Sequence, residues 1–308
     1  MNTKPILVTG AHRSSTTWVG TMLAASPGIG YVREPFALGR RPGICGAPFK
    51  YFFTFVSREN EQEYYPDLKK TLEFRFNGKG RWHSVRSLRA AAGTAKIYLD
   101  FLKYRLVGAR PLLKDHIALF SAEWLAERFD MDVVVLIRHP AAFASSIKVL
   151  NWETHFDHLL AQPLLMNGYL RPYESQIREM VSTKHDLIAQ SALFWNLAYS
   201  TVLQYRERHP DWVYVRHEDL SLKPIAGFHA LCDRLGVEYT HDVEKTIRAN
   251  SESKDISDKT SIRQPDLLKR NSLANMTQWK TRLSPSEIAR LRVQVEDVSR
   301  NFYSDKEW

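Results

Sequence analysis

The sequence predicts an α/β fold, a doubly wound domain with a central parallel sheet flanked by helices. The continuous β-branched and apolar run from Val133 to Ile137 is typical of a strand buried on both faces of a parallel sheet. Segments with helical spacing lie between such runs and supply the crossovers that parallel strands require. With 308 residues the chain is long enough for one large domain, and we expect residues 1–308 to form it.

The amino-terminal segment has the pattern of a strand, a tight loop and a helix. Ile6 to Val8 form a short apolar run, residues 10–15 are small and polar, and residues 16–25 have helical spacing. The strand begins so early that no room is left for a charged leader and an apolar signal segment. We therefore expect a cytoplasmic location.

Further strands and helices follow, separated by two aromatic-rich insertions. We expect strands at Leu112 to Lys114, Val133 to Ile137 and Trp212 to Val215, and helices over residues 118–129, over residues 186–208 and from Ser284 onward. Ser284, Pro285 and Glu287 have the pattern of a capping box with proline at the first helical position. The insertions, at about residues 40–110 and 150–185, are expected to be helical or irregular and to line a cleft.

Composition excludes several classes of protein. Cys45 and Cys232 lie far apart, so neither a disulfide framework nor a zinc site is indicated. No run of about 18 apolar residues is present, so we expect no transmembrane segment, while peripheral membrane contact stays open. The net charge of +9 and the pI near 9.4 indicate an anionic partner: nucleic acid, an anionic membrane surface or a multiply phosphorylated cofactor. Charge alone does not choose among them, and the oligomeric state is not encoded in any pattern we recognise.

The loop after the first strand, residues 10–18 with the sequence GAHRSSTTW, has the features of a phosphate-binding loop. Between a strand and a helix, its backbone N–H groups and the helix N-terminus can surround a phosphate. It resembles a P-loop, but Ser15 stands where the second glycine belongs and Thr16 where the lysine belongs. Because the P-loop lysine reaches the β- and γ-phosphates, its absence disfavours ATP or GTP chemistry. A nucleotide with a single 5′-phosphate fits better, with Arg13 as the cation.

A second motif follows the buried strand. Arg138 leaves the carboxyl end of that strand, where ligands bind in α/β sheets, and its guanidinium can form paired hydrogen bonds to phosphate oxygens. Ser146, about two turns into the next helix, adds a hydroxyl donor. The joint occurrence of the two motifs makes a chance match improbable.

Both motifs resemble those of the sulfotransferases that use 3′-phosphoadenosine 5′-phosphosulfate (PAPS). The family's loop reads a basic residue, serine or threonine, glycine or serine, two serines or threonines, and tryptophan, and residues 13–18 match it at every position. Arg138 to Ser146 resembles the family's second signature. The resemblance implies a P-loop NTPase-like fold. It also implies a cofactor site made of Arg13, Ser14, Ser15, Thr16 and Thr17 at the 5′-phosphosulfate, Trp18 near the adenine, and Arg138 and Ser146 at the 3′-phosphate.

A third segment is similar to the family's carboxyl-terminal R-K-G-x-x-G-x-W-K motif, which closes over the 3′-phosphate. Arg270 matches its arginine, but Asn271 and Ser272 replace lysine and glycine, and the spacing to Trp279 is longer. We expect Arg270, Asn271 and Ser272 to contact the cofactor, with the arginine the closest match.

Two residues are candidates for the base that takes the acceptor proton. His116 lies in Lys114-Asp115-His116, which resembles the K-T-H segment of the cytosolic enzymes, where histidine is the base and lysine contacts the sulfuryl group. Glu34 lies in the sequence REPF, which is similar to the segment where carbohydrate sulfotransferases place a glutamate base. Histidine titrates near neutral pH, whereas a glutamate needs a raised pKa or a well-placed hydrogen bond. The REPF context favours Glu34 slightly, and both stay open.

The expected reaction is a single in-line displacement that moves the sulfuryl group to a hydroxyl or amine. Arg13 and Lys114 would stabilise the transferring group, and no metal is required because a sulfuryl group carries less charge than a phosphoryl group. The aromatic insertions favour an acceptor with a sugar face or a lipid portion, and the REPF context resembles the bacterial carbohydrate and lipid enzymes. We therefore expect a carbohydrate or glycolipid acceptor and no nucleic acid partner. The alternatives are a P-loop kinase for a small molecule, which needs a lysine at position 16, and a non-catalytic module that binds an adenine nucleotide or nucleic acid.

Overall fold

Five parallel strands form one sheet in the computed structural model, which describes residues 3–38, 43–77, 88–251 and 276–308. The strands are β1 Ile6–Gly10, β2 Ile29–Arg33, β3 Arg110–Lys114, β4 Asp132–Ile137 and β5 Val213–Arg216. Their order across the sheet is β2-β3-β1-β4-β5. This arrangement confirms the predicted α/β class with a central parallel sheet.

The strand order places a ligand crevice at the carboxyl end of β1. In the register of the sheet, Ile6 lies between Leu112 of β3 and Asp132 of β4. The chain completes β3 on one side of β1 and then crosses to β4 on the other side. Ligands of open α/β sheets bind at such a reversal, outside the carboxyl ends of the strands. The loops that follow β1 and β4 contain the two motifs for which the sequence predicts phosphate binding.

Helices surround the sheet. In the described ranges they are α1 Thr16–Ala24, α2 Tyr65–Leu72, α3 Leu88–Leu106, α4 Ala122–Phe129, α5 Pro140–Leu150, α6 Phe156–Leu160, α7 Pro163–Asn167, α8 Glu174–Ser182, α9 Leu187–Arg208, α10 His217–Leu222, α11 Pro224–Leu235, α12 His241–Ser251, α13 Trp279–Arg282 and α14 Pro285–Ser299. None of them is both long and apolar enough to cross a bilayer. The predicted capping box is confirmed, because Ser284 Oγ accepts from the Glu287 N–H (3.2 Å) and Glu287 accepts from the Ser284 N–H (2.7 Å).

Each face of the sheet packs against its own hydrophobic cluster. Successive side chains of a strand point to opposite faces, so Leu7 and Val135 belong to one cluster and Val8 and Val134 to the other. The first cluster includes most of the buried side of α9, and the second includes α1 and α11. Burial on both faces explains why the β4 sequence is a continuous apolar run.

Candidate active site

The loop after β1 turns tightly against β4. Gly10 has φ +147°, and a Cβ there would lie 2.5 Å from the Leu136 carbonyl oxygen, so only glycine fits. Arg13 (φ 62°) and Ser15 (φ 70°) are both left-handed, which is uncommon for residues with side chains. Ser14 is fully buried, and its Oγ donates to the Ala11 carbonyl oxygen (2.5 Å). These contacts fix the path of the loop.

The loop leads into the N-terminus of α1, which suits an anion. Ser15 is the N-cap residue, yet its side chain makes no capping hydrogen bond, and the first turn of α1 contains no acidic residue. Thr16 is buried and Thr17 is partly buried in that first turn. The helix dipole and the N–H groups at this end therefore favour a negatively charged ligand such as a phosphate.

The two sequence motifs meet in space. Arg13 Nε donates to Ser146 Oγ (2.7 Å), and the Arg138 guanidinium donates to the Arg13 carbonyl oxygen. Buried aromatic side chains fix the backbone of Arg138, because its N–H donates to Tyr199 Oη (3.0 Å) and its carbonyl accepts from Trp195 Nε1 (2.9 Å). The residues expected at the two ends of one nucleotide thus belong to a single connected group.

The two candidate bases also lie together. β2 and β3 end side by side, with the Glu34 N–H donating to the Lys114 carbonyl oxygen (2.8 Å). Lys114 Nζ forms an ion pair with Glu34 Oε1, and His116 Nδ1 lies 3.6 Å from the same oxygen. The Lys114 side chain is only 1% exposed, so its charge depends on this carboxylate.

Burial and neighbouring charges set the protonation of this group. Burial alone would raise the pKa of Glu34, but Lys114, His116 and Arg33 outweigh it and lower that pKa to about 2. Burial lowers the pKa of Lys114, an effect that Glu34 partly offsets. Burial and the nearby Lys114 charge hold the pKa of His116 well below its usual 6.5. At neutral pH the group contains an anionic Glu34 and a neutral His116.

Asp115 connects the segments that follow β2 and β3, where Glu34 and His116 lie. It is fully buried, its Oδ2 accepts from the Phe36 N–H (2.7 Å) and its Oδ1 from the Ile117 N–H (2.9 Å). Burial raises the pKa of Asp115 to about 7 despite these bonds. The two hydrogen bonds hold the segment after Glu34 against the segment that contains His116. Asp115 was not predicted as a site residue, because its bond to Phe36 arises only when β2 and β3 pair.

A cavity of about 550 Å³ opens beside the two loops. Its wall includes His12, His116, Phe52, Phe53, Trp152 and Phe194. The side chains of Phe52 and Phe53 come from the first predicted insertion and that of Trp152 from the start of the second. Of the two candidate bases, His116 contributes to this wall. The cavity has one aromatic side, and its polar groups are the imidazoles together with Asn151, Glu153 and Thr154.

His12 is a residue of this wall that the sequence analysis did not single out. Its ring packs against Phe53, Phe143 and Phe194, with centroid separations of 5.7, 5.0 and 4.7 Å. Burial, and then the charge of Arg13, lower the pKa of His12 to about 3, so it is neutral at physiological pH. Its position next to Arg13 in the phosphate-binding loop was the available signal.

The structure describes Trp18 but not the first residues of the carboxyl-terminal motif. Trp18 is 8% exposed and packs edge-on against Phe228 (5.1 Å between centroids). Its contact with the adenine stays a prediction. Arg270, Asn271 and Ser272 lie outside the described residues, so their contact with the cofactor stays a prediction too.

His139, between Arg138 and Pro140, ties the second loop to the carboxyl-terminal part of the chain. The His139 ring stacks on Trp279 (5.2 Å between centroids, 11° between planes), and the backbone N–H of His139 donates to Glu218 Oε1 (3.0 Å). Glu218 Oε2 in turn accepts from Tyr303 Oη (2.9 Å). Glu218 thus connects the loop after β4 to the carboxyl-terminal part of the chain, which is a structural role.

One group of side chains with metal-ligating atoms lies beside the cavity in the described ranges: His155, Asp157 and His158. His158 Nδ1 accepts a hydrogen bond from the Phe52 N–H (3.0 Å). A neutral His158 then carries its proton on Nε2, so neither ring nitrogen is available to a metal. The remaining two side chains are too few for a structural metal site.

Comparison with known proteins agrees with these observations. A family model described as "Sulfotransferase family" matches residues 5–241. No curated protein matches the sequence. The structure of mouse sulfotransferase SULT7A1 complexed with PAP (3′-phosphoadenosine 5′-phosphate) is similar, with 11% identity and a TM-score of 0.50, over 100% of this chain and 88% of that chain. The sulfotransferase domain of the Synechococcus PCC 7002 olefin synthase is 18% identical with a TM-score of 0.48, over 99% of this chain and 97% of that chain.

Proposed function

The chain belongs to the sulfotransferase family, and we propose that it transfers the sulfuryl group of PAPS to a hydroxyl or amine of an acceptor. The observation that carries the proposal is the contact between the two motifs, in which Arg13 bonds both to Ser146 and to Arg138. Two arginines and a helix N-terminus suit a nucleotide with phosphates at both ends. That the similar mouse sulfotransferase was solved with PAP supports the same donor.

The fold around this group suits a 5′-phosphosulfate. Close packing at Gly10 lets the backbone of the loop approach a ligand, and the N-terminus of α1 has no side-chain cap. No lysine stands at Thr16, which disfavours a kinase. A module that only binds a nucleotide would not need Lys114, Glu34 and His116 to meet beside the same loop, and they do meet.

We infer that His116 is the base and that Glu34 orients it. Glu34 Oε1 lies 3.6 Å from Nδ1 of His116, beyond hydrogen-bond distance, but its negative charge favours the proton on that nitrogen, which leaves the Nε2 lone pair for the acceptor proton. Glu34 itself is a weak base, since Lys114 and its neighbours lower its pKa to about 2. A carboxylate that fixes the tautomer of a catalytic histidine serves the same purpose in hydrolase triads.

In the proposed reaction the acceptor oxygen bonds to sulfur while the bond from sulfur to the bridging phosphate oxygen breaks. The electron pair of the broken bond stays on the 5′-phosphate of PAP, and the acceptor proton passes to His116 Nε2. Arg13 and Lys114 stabilise the negative charge of the transferring group and of the leaving phosphate. Two cations suffice for a sulfuryl group, whose charge is lower than that of a phosphoryl group, so we propose no metal.

We propose a carbohydrate or glycolipid acceptor. The aromatic wall formed by Phe52, Phe53, Trp152 and Phe194 suits the apolar face of a sugar ring or the start of a lipid chain.

We further propose that residues 1–308 form one domain, because the described strands make one sheet with a hydrophobic cluster on each face. A cytoplasmic location is consistent with the free thiols of Cys45 and Cys232.

Calorimetric titration with PAP tests the donor. We expect the wild type to bind PAP, Arg138→Ala to bind it about 10- to 100-fold more weakly, and ATP with magnesium to give little heat. Arg171→Ala is the matched control, because Arg171 is an exposed arginine and its loss should leave PAP affinity unchanged. Absence of PAP binding, or tighter binding of ATP, would overturn the proposed function.

A further inference from the structure

His12 occupies a position between the two halves of the proposed site. It precedes Arg13 in the phosphate-binding loop, and its ring forms part of the cavity wall together with His116. Both imidazoles line the same cavity, so one bound molecule can contact both. The proposed reaction gives His116 a role and leaves His12 without one.

The surroundings of His12 restrict which of its nitrogens can meet a ligand. Nδ1 is sealed from solvent and has no hydrogen-bond partner among the described residues. It lies in an environment of aromatic rings, those of Phe53, Phe143 and Phe194. Any hydrogen bond that His12 makes to a molecule in the cavity is therefore made by Nε2.

The same burial selects a tautomer. A neutral imidazole carries one proton, and a buried N–H without an acceptor is rarer in proteins than an under-satisfied lone pair. The favoured form of His12 thus has its lone pair on the sealed Nδ1 and its proton on Nε2. His116 has the opposite arrangement, because Glu34 favours the proton on its Nδ1. One histidine presents a proton acceptor to the cavity and the other a proton donor.

We propose that His12 is an acceptor-binding residue whose Nε2–H donates to an oxygen beside the hydroxyl that loses its proton to His116. The enzyme would then select acceptors with an oxygen on the carbon next to the reacting one, as in the neighbouring hydroxyls of a sugar ring. This inference rests on the proposed function and narrows its acceptor class. It assigns to the pair of histidines a specificity that the aromatic wall alone does not supply.

Nitrogen-15 NMR of histidine-labelled protein, saturated with PAP, tests the tautomer directly. We expect the His12 signals of a neutral ring protonated on Nε2, with His12→Gln used to assign them. Addition of guaiacol, which has an ether oxygen next to its hydroxyl, should shift the His12 Nε2 signal more than addition of phenol. A ring protonated on Nδ1, or equal shifts with the two probes, overturns the proposal.

Two His12 variants test whether its Nε2–H group selects the acceptor. Wild type should prefer guaiacol to phenol about tenfold, in kcat/KM for sulfation or in affinity for the PAP-loaded protein, as one hydrogen bond implies. His12→Phe keeps a ring among Phe53, Phe143 and Phe194 but has no donor, and it should abolish the preference. His12→Gln places an amide N–H near the position of Nε2 and should restore part of it.

PAP affinity separates this inference from the proposed function. The loop is proposed to hold the 5′-phosphate through the backbone N–H groups of residues 13–17, while the His12 ring faces the cavity, so both variants should still bind PAP. Loss of PAP binding in both variants would assign the ring to the nucleotide and overturn the proposal. If wild type binds PAP and shows no preference for guaiacol over phenol, the proposed role of His12 is wrong, while the proposal that PAPS is the sulfuryl donor is unaffected. If wild type does not bind PAP, the proposed function itself fails.

Discussion

Inside the protein the charge of Lys114 is maintained chiefly by the carboxylate of Glu34, with which it forms an ion pair, and to a lesser degree by Asp115. The lysine side chain is 1% exposed and the glutamate side chain 12% exposed. Water screens such a pair poorly, so removal of one partner leaves the other as an uncompensated buried charge. The same carboxylate faces His116, so one residue controls the protonation of both its neighbours.

Replacement of this carboxylate should lower stability in a manner that depends on pH. We expect Glu34→Gln to reduce the free energy of unfolding by about 3–5 kcal/mol at neutral pH. Because the folded pKa of Glu34 (about 2) is lower than its ordinary value of 4.5, the ion pair stabilises the wild type above pH 4.5. That contribution is lost as the pH falls toward 2, so the difference between wild type and variant should shrink in acid.

Urea unfolding between about pH 7 and pH 3 measures this difference. Glu127→Gln is the control, since Glu127 is exposed and its loss should change stability little at any pH. A difference between wild type and Glu34→Gln that is small at pH 7, or that grows as the pH falls, would contradict the assigned ion pair.

At the scale of elements, the position of Lys114 depends on how closely α1 approaches β3. Gly20 of α1 faces this lysine, and a Cβ at Gly20 would lie 2.9 Å from Lys114 Cγ and 3.2 Å from a Tyr31 ring carbon. The glycine thus lets the helix that binds the proposed phosphate pack directly on the strand that supplies the cation.

Gly20→Ala should therefore destabilise the protein although alanine is the better helix former. Alanine in a helix interior is favoured over glycine by about 1 kcal/mol, but overpacking costs about 1–3 kcal/mol. We expect a net loss of stability and a lower rate of sulfation, since Lys114 must move. Gly93→Ala in α3 is the matched control, because a Cβ there meets nothing within 4 Å and should stabilise the protein. Thermal unfolding of both variants checks the opposite signs.

The sequence allowed prediction of the elements whose local pattern and tertiary environment agree. β4 was predicted because burial on both faces requires an apolar residue at every position, and α14 because its capping box is local. β2 was not predicted. Its second residue is Gly30, which weakens any strand pattern and is required because a side chain there would overlap the Phe74 ring. That ring comes from a distant part of the chain.

In the candidate site, too, the sequence indicated residues that belong to a local pattern but not groups that only the fold brings together. Arg138 and Ser146 could be proposed from the sequence because they follow a recognisable strand at a fixed spacing, and the structure places both beside Arg13. Their contact with a phosphate stays a prediction. The group of Glu34, Lys114 and His116 could be suspected only as separate segments, because its geometry comes from the pairing of β2 with β3. His12 was not predicted, because its role depends on rings that lie far from it in sequence.

In the whole molecule, the proposed nucleotide site lies where the loops after the neighbouring strands β1 and β4 meet. The loop after β1 supplies Arg13, and the loop after β4 and helix α5 supply Arg138 and Ser146. The carboxyl-terminal part of the chain supports the second loop through Trp279, which stacks on His139. A ligand that binds here contacts segments that are distant in sequence, so it should stabilise the whole fold.

A crystal structure of the protein with PAP is the decisive test of the proposed nucleotide site. We expect the 5′-phosphate at the backbone N–H groups of residues 13–17 and the 3′-phosphate on Arg138 and Ser146. We also expect the cavity beside His116 to stay open to an acceptor. PAP bound elsewhere, or with its 3′-phosphate away from Arg138 and Ser146, would contradict the proposed site.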